Sequence, residues 1–280
     1  MSEEKQTGAA NERGELQAEA GCGRLDNVTE VMGGTASNIV ELVFGNQVRG
    51  KITFLEETIF RYDVDPTGIF ASYAVPREEA HTAKIQQCPD ESEWYTKPEA
   101  VIVEGAQEAV IQCGATEVVF EKATAKMSIR RNGAVVMEEA EALTLTDVET
   151  VQKLVKHEKE QFYGGGTQNG RFVHTGKTIQ IVNESAWMDG GVASPNPFYF
   201  TTAGYGVLRN TFSDGCYDFG ETKEDIVSAV HKESKLSAYY FITDAENERR
   251  KVQDLLRGYY HVTGNPLLLP EYGFYEGHLN

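Results

Sequence analysis

From about Asn38 the chain is a succession of short apolar runs separated by Gly, Pro, Asn and Asp. IVELVF (39–44), KITFL (51–55), AVIVE (100–104), AVIQC (109–113) and EVVFE (117–121) are rich in Val, Ile and Phe and have the length of strands. KMSIRR and AVVMEE flank Asn132-Gly133, a pair that tolerates the positive φ angles of a two-residue hairpin turn. The same texture continues through TIQIV (178–182), PFYF (197–200), YGVLRN (205–210) and LSAYYFI (236–242). Helical patterns rarely separate these runs. Strands joined without crossover helices pair antiparallel, and two such sheets bury their apolar faces by packing as a sandwich. The pattern predicts a mainly β protein, an antiparallel β-sandwich over 36–243.

Residues 1–35 are polar and rich in Glu, Gly and Ala, and read as a disordered lead. One helix is expected after the last strand. Thr243-Asp244-Ala245-Glu246 fits a capping box, Val252, Leu255, Leu256 and Tyr259 follow at helical spacing, and Gly264 and Pro266 stop it. A second, weaker helix is expected over 147–160. Residues 244–269 then form a linking helix and loop. After Pro270, EYGFYEGHLN (270–280 with that Pro) reads as a strand with no partner left in the sequence.

Charge narrows the partners. With 26 Lys and Arg against 43 Asp and Glu, the net charge is −17, which repels a phosphate backbone and argues against nucleic acid. Neutral sugars fit an acidic surface. No window approaches the about 18 to 20 apolar residues of a membrane span. The N-terminus lacks the apolar stretch of a secretory signal, so a cytoplasmic location is expected. Cys22, Cys88, Cys113 and Cys216 are too widely spaced for a metal or redox motif and read as free thiols. The six histidines show no metal-ligand spacing, so no metal and no cofactor are expected.

GGGTQNGRFVHTGKT (164–178) ends in Gly-Lys-Thr, but a phosphate loop needs Gly where Arg171 stands, and no helix follows. It reads as a Gly-rich turn between strands, able to present side chains to a ligand. In NESAWMDGGVASPNPFYF (183–200), Trp187 and Met188 lie in a polar, Gly/Pro-rich segment. An aromatic on a loop can stack on the apolar face of a sugar while Asp or Glu accepts hydroxyl hydrogen bonds. Trp187 plugging the edge of the sandwich is an equal alternative. The many carboxylates do not resolve into the pair, about 5 to 9.5 Å apart, that glycosidase chemistry needs.

The order of segments resembles the N-terminal region of glycoside hydrolase family 31. The resemblance rests on Glu160 to Gly166, Asn183, Pro197-Phe198-Tyr199-Phe200 and Gly204-Tyr205-Gly206-Val207. It continues through Gly258 to Pro266 and Pro270-Glu271-Tyr272-Gly273-Phe274, and covers about residues 40–280. The overall wording is α-glucosidase-like, while FYGGGTQNGRF and PEYGFYEGHLN are closer to a branch containing α-N-acetylgalactosaminidases.

The resemblance implies a galactose-mutarotase-like sandwich, a linking helix, and in 270–280 the first strand of a truncated (β/α)8 barrel. It implies a parent enzyme that hydrolyses α-glycosides with retention, through a glycosyl-aspartate. The family's two catalytic aspartates have no counterpart here, so the chain is expected to be inactive alone, with the missing barrel as its partner and a carbohydrate as its ligand. The family's substrate-contacting Asp is absent at Asn183-Glu184-Ser185. Glu184, Trp187 and Asp189 are therefore the candidate sugar contacts, with His278 and Asn280 where the first barrel strand would end. A free-standing, non-catalytic carbohydrate-binding or interaction sandwich is the alternative.

Overall fold

A computed structural model describes residues 22–30, 37–70, 98–183 and 188–264. The first strands are β1 (Leu25–Glu30), β2 (Ile39–Phe44), β3 (Arg49–Glu56) and β4 (Ile59–Asp65). Next come β5 (Val101–Glu104), β6 (Glu108–Cys113), β7 (Thr116–Glu121), β8 (Met127–Arg131), β9 (Ala134–Leu145) and β10 (Thr150–Val155). The chain then runs through β11 (Phe162–Gln168), β12 (Thr178–Ile181), β13 (Val192–Thr201) and β14 (Tyr205–Arg209). It ends with β15 (Gly215–Asp218), β16 (Ile226–His231), β17 (Leu236–Ile242) and the helix α1 (Glu248–Thr263).

Two antiparallel sheets form the sandwich, and β1 carries it back into the stretch expected to be a disordered lead: it pairs with β2 and buries Leu25 and Val28, so the sandwich begins before residue 36. One has the order β1-β2-β3-β4-β17-β14-β13-β11, the other β12-β15-β16-β10-β9-β8-β7-β6-β5. Alternation along each strand decides the faces. In β2 and β6 every second residue is buried, which is the period of a pleated strand with one face on a core. Phe44, Phe54, Phe60, Phe120, Phe162 and Phe219 fill the space between the sheets, with Phe60 stacked on Tyr240 at 5.0 Å. The turn between β8 and β9 is the expected one. Asn132 and Gly133 have φ of 50° and 77°, and Arg131 pairs directly with Ala134.

The helix α1 lies on the outer face of the eight-stranded sheet. Its Leu255 and Val262 join Leu55, Ile59, Phe198 and Phe241 in a second apolar cluster. Gly258 permits this approach, since a Cβ there would come 2.9 Å from the Phe241 ring. Gly264 ends the helix at φ 88°, its N–H donating to the Tyr260 carbonyl, as the stop signal predicts.

The expected capping box is not the cap. The Thr243 backbone still belongs to the sheet, its N–H donating to Gly204, so the helix starts later, with Asn247 Oδ1 accepting from the Arg250 N–H. The expected helix over 147–160 is also corrected. Residues 150–155 form β10, where Thr150, Gln152 and Leu154 point inward and Lys153 pairs outward with Glu141. Two flanking strands, β9 and β16, decide the matter by supplying partners on both edges. Cys22, Cys113 and Cys216 are free thiols, as expected, and Cys88 lies outside the described residues. Residues 270–280 lie outside them as well. Among the described residues no helix is long and apolar enough to cross a membrane.

The inward face of β10 brings a polar group into the core. Gln152 Nε2 donates to Glu139 Oε1 at 2.8 Å and to the Tyr240 hydroxyl at 3.0 Å, and Glu139 Oε2 accepts the Met127 N–H at 2.9 Å. Burial pushes the Glu139 carboxyl up from 4.5 to about 7, against those hydrogen bonds. A raised carboxyl pKa stabilises the fold below its unfolded value and loses that contribution as pH rises through the folded one. Glu139→Gln, which keeps the shape without the charge, should therefore gain on the wild type by on the order of 3 kcal/mol between about pH 4 and about pH 8. Urea unfolding at the two pH values reads this directly. Parallel pH dependence in the two proteins would contradict it.

Candidate functional site

The site is built on three consecutive glycines. Gly164, Gly165 and Gly166 all have positive φ, of 109°, 74° and 78°. The sequence reading placed them in a turn, but they lie within β11, and the register to β13 shifts between Gly164 and Gly166. Here the two backbones nearly touch. A Cβ on Gly164 would lie 2.4 Å from the Phe198 carbonyl oxygen, and one on Gly166 would lie 2.1 Å from that of Ser194. Only glycine satisfies both the angle and the distance.

This contact sets where two loops leave the sheet. The 169–177 segment follows β11, and 188–191 precedes β13. They are stitched together just beyond the strands. Asn169 N–H donates to the Gly191 carbonyl at 2.9 Å and Gly190 N–H returns to the Asn169 carbonyl at 3.0 Å. Gly191 N–H closes a turn on the Met188 carbonyl at 2.9 Å. Gln168 Nε2 reaches the carbonyls of Gly165 and Gln180, tying β11 to β12 of the other sheet. At the far end His174 is buried. Its Nε2 lies 2.9 Å from the Gly164 carbonyl, and burial holds its pKa below the usual range, so the neutral ring donates that proton. The loop is thus fixed at both ends, and its tip is exposed.

Among the candidate contacts, Asp189 is placed. It is exposed, and its carboxylate lies over Gly170, where a Cβ would meet Oδ1 at 2.9 Å. Arg171, noted in the sequence only as the residue that breaks a phosphate loop, lies beside Gly190, where a Cβ would meet its Nη2 at 3.6 Å. Two opposite charges therefore sit on one stitched backbone. Phe172 (82% exposed), Val173 (42%) and Met188 (72%) surround them in sequence and present apolar surface. Phe172 escaped the sequence reading because a lone aromatic in a Gly-rich segment has no periodicity to mark it. Glu184, Trp187, His278 and Asn280 lie outside the described residues.

Several polar groups elsewhere are buried and serve packing. Arg209 Nη2 pairs with Glu233 at 2.8 Å, and Thr211 donates to the same carboxylate at 2.9 Å. His231 is pushed down to about 3 by burial and the nearby Arg209 charge. Its Nδ1 lies 3.1 Å from the Ser213 carbonyl and its Nε2 2.9 Å from the Tyr217 hydroxyl, so it stays neutral. Burial also holds the Glu160 carboxyl above its ordinary range, and it accepts the His157 N–H at 3.0 Å. None of these carboxyls shares the loop surface. Among the described residues no three His, Cys, Asp or Glu side chains gather as metal ligands would. The surface offered by the two loops can bind and orient a ligand.

Residues 49–218, more than half of the chain, match the glycosyl hydrolase 31 N-terminal galactose mutarotase-like domain. The chain belongs to this family. This family 31 domain is 28% identical over 116 residues to an α-xylosidase of Emericella nidulans, an alignment covering 41% of this chain and 14% of that protein. Its fold is similar to a family 31 dextranase of Flavobacterium johnsoniae solved with isomaltotriose, with a TM-score of 0.74 at 14% identity, over 90% of this chain and 29% of that one. It is similar to a cycloalternan-forming enzyme of Listeria monocytogenes solved with a pentasaccharide substrate (TM-score 0.69, 16% identity, 90% and 23% covered). A family 31 α-xylosidase from a soil metagenome, solved with xylose, gives 0.64 at 16% identity, with 87% and 36% covered. At such identities the likeness to solved structures establishes the fold. The chain spans from 14% to 36% of the length of these relatives.

The glycine contact yields a test. Gly133 also has positive φ, but a Cβ there meets nothing within 4 Å. Gly133→Ala should cost about 1 kcal/mol, the strain of the left-handed angle alone. Gly166→Ala carries that strain plus a backbone collision and should cost more than about 3 kcal/mol in urea unfolding. Equal costs would show that β11 and β13 do not approach as described.

Proposed function

We propose that this family 31 domain recognises the substrate of a retaining α-glycoside hydrolase and does not turn it over alone. In this reading residues 36–243, with β1 before them, are the sandwich, 244–269 the link, and 270–280 the start of a catalytic barrel whose aspartates supply the chemistry. The 169–173 and 188–190 loops then reach toward the sugar, together with Glu184 and Trp187 from the same connection, while His278 and Asn280 stand at the end of the first barrel strand. The observation that carries the reading is that Asp189 and Arg171 sit on one hydrogen-bonded backbone beside exposed apolar side chains. Family membership directs it to carbohydrate. The relatives solved with isomaltotriose, a pentasaccharide and xylose support a neutral saccharide as the ligand, and so does the net charge of −17, which disfavours anions.

The recognition can be measured on the chain as it stands. Isomaltotriose and xylose, titrated into ¹⁵N-labelled protein, should shift the amides of residues 169–173 and 188–191 saturably. Asp189→Ala removes a charged acceptor of sugar hydroxyls and should weaken binding about tenfold or more. Its urea midpoint should stay within about 0.5 kcal/mol of the wild type, because the side chain is exposed. Aryl α-glycosides should not be hydrolysed. Shifts confined to other surfaces, or an affinity indifferent to Asp189, would overturn the recognition reading, and hydrolysis would overturn the division of labour.

A further inference from the structure

A single exposed aromatic is ordinary on a protein surface. Phe172 differs in how it is held. Its ring meets Tyr163 edge-on, at 5.8 Å and 62°. Tyr163 stacks on Phe200 at 5.5 Å, Phe200 on Phe198 at 5.7 Å, and Phe198 on Tyr259 of α1 at 4.2 Å. The row runs along the outer face of the eight-stranded sheet. The rings before Phe172 are buried or half-buried, and Phe172 is 82% exposed. Its backbone is equally constrained. Arg171 N–H closes a turn on the Gln168 carbonyl, and His174 N–H is bonded to the Phe162 carbonyl at 2.9 Å. A ring placed in water with its backbone and one edge already fixed loses little further freedom when a ligand covers its face.

The neighbours define the ligand. Arg171 directly precedes Phe172 and lies beside Gly190, and the Asp189 carboxylate covers Gly170. An apolar plane next to one acceptor and one donor suits a molecule with an apolar C–H face and hydroxyls around its rim. A pyranose has this form. One positive and one negative side chain leave this patch without net charge, which suits a neutral ring.

We propose that Phe172 is the stacking platform for a neutral pyranose ring, with Asp189 and Arg171 binding its hydroxyls. The inference rests on the sugar-recognition reading above and adds to it a residue that determines which sugar face is accepted. The test uses the full 280-residue chain with isomaltotriose and xylose as probes. Phe172→Ala should weaken binding about tenfold, and Phe172→Trp should keep it within about threefold, because either aromatic offers a stacking face. Saturating the aromatic protons of the protein should transfer magnetisation to the sugar C–H protons in the wild type and in Phe172→Trp, and much less in Phe172→Ala. Unchanged urea midpoints will separate these effects from folding. If Asp189→Ala weakens binding while Phe172→Ala retains wild-type affinity and transfer, the platform is refuted and the recognition reading stands. If neither probe binds at the two loops, both fall.

Discussion

The close approach of β11 to β13 is the contact on which the rest depends. Two carbonyl oxygens, of Ser194 and Phe198, occupy the space that side chains on Gly166 and Gly164 would need. With those side chains missing, the backbones bulge past each other and the register shifts. The shift puts Asn169 opposite Gly191 and so stitches the two loops. Ahead of the shift Tyr163 pairs with Phe200 and stacks on it, in the ring row that ends under α1. The placement of the two loops thus follows from one backbone contact on the edge of the eight-stranded sheet.

The core carries polar groups that a purely apolar sandwich would lack. Glu139, Gln152 and Tyr240 are joined by hydrogen bonds, and Arg209 is paired with Glu233 and braced by Thr211. Breaking such a pair leaves a charge without water or partner, which commonly costs about 3 to 5 kcal/mol. These groups specify how strands meet: Gln152 fixes the inward face of β10, and Glu233 fixes the turn before β17. Burial is what raises the Glu139 carboxyl and the Tyr240 hydroxyl above their ordinary ranges. The chemistry available to solvent lies instead in the exposed loops.

Much of the architecture was legible in the chain. Apolar runs such as 39–44 and 236–242 coincide with β2 and β17, because strands with one face on a core need that composition. Asn132-Gly133 revealed its hairpin through the φ angles it tolerates. The end of α1 was legible in Gly264 for the same reason. What was misread depended on partners far along the chain. Residues 150–155 resemble helix or strand equally until β9 and β16 claim both edges. Thr243 looked like a cap until Gly204 engaged its backbone. The glycines of β11 looked like a turn because their reason, the carbonyls of Phe198 and Ser194 far along the chain, has no local trace. For the site, Asp189 was legible as a carboxylate beside a loop aromatic. Arg171 and Phe172 were not, since nothing in their own segment says that it is stitched to residues 188–191.

Backbone hydrogen bonds of Asn169 tie the two loops to each other. The central claim is that they meet a sugar. A crystal structure of the chain grown with isomaltotriose tests it most directly. The account predicts a pyranose ring against Phe172, with hydroxyls within hydrogen-bond distance of Asp189 and Arg171. Ordered saccharide at a different surface, with the two loops bare, would contradict it.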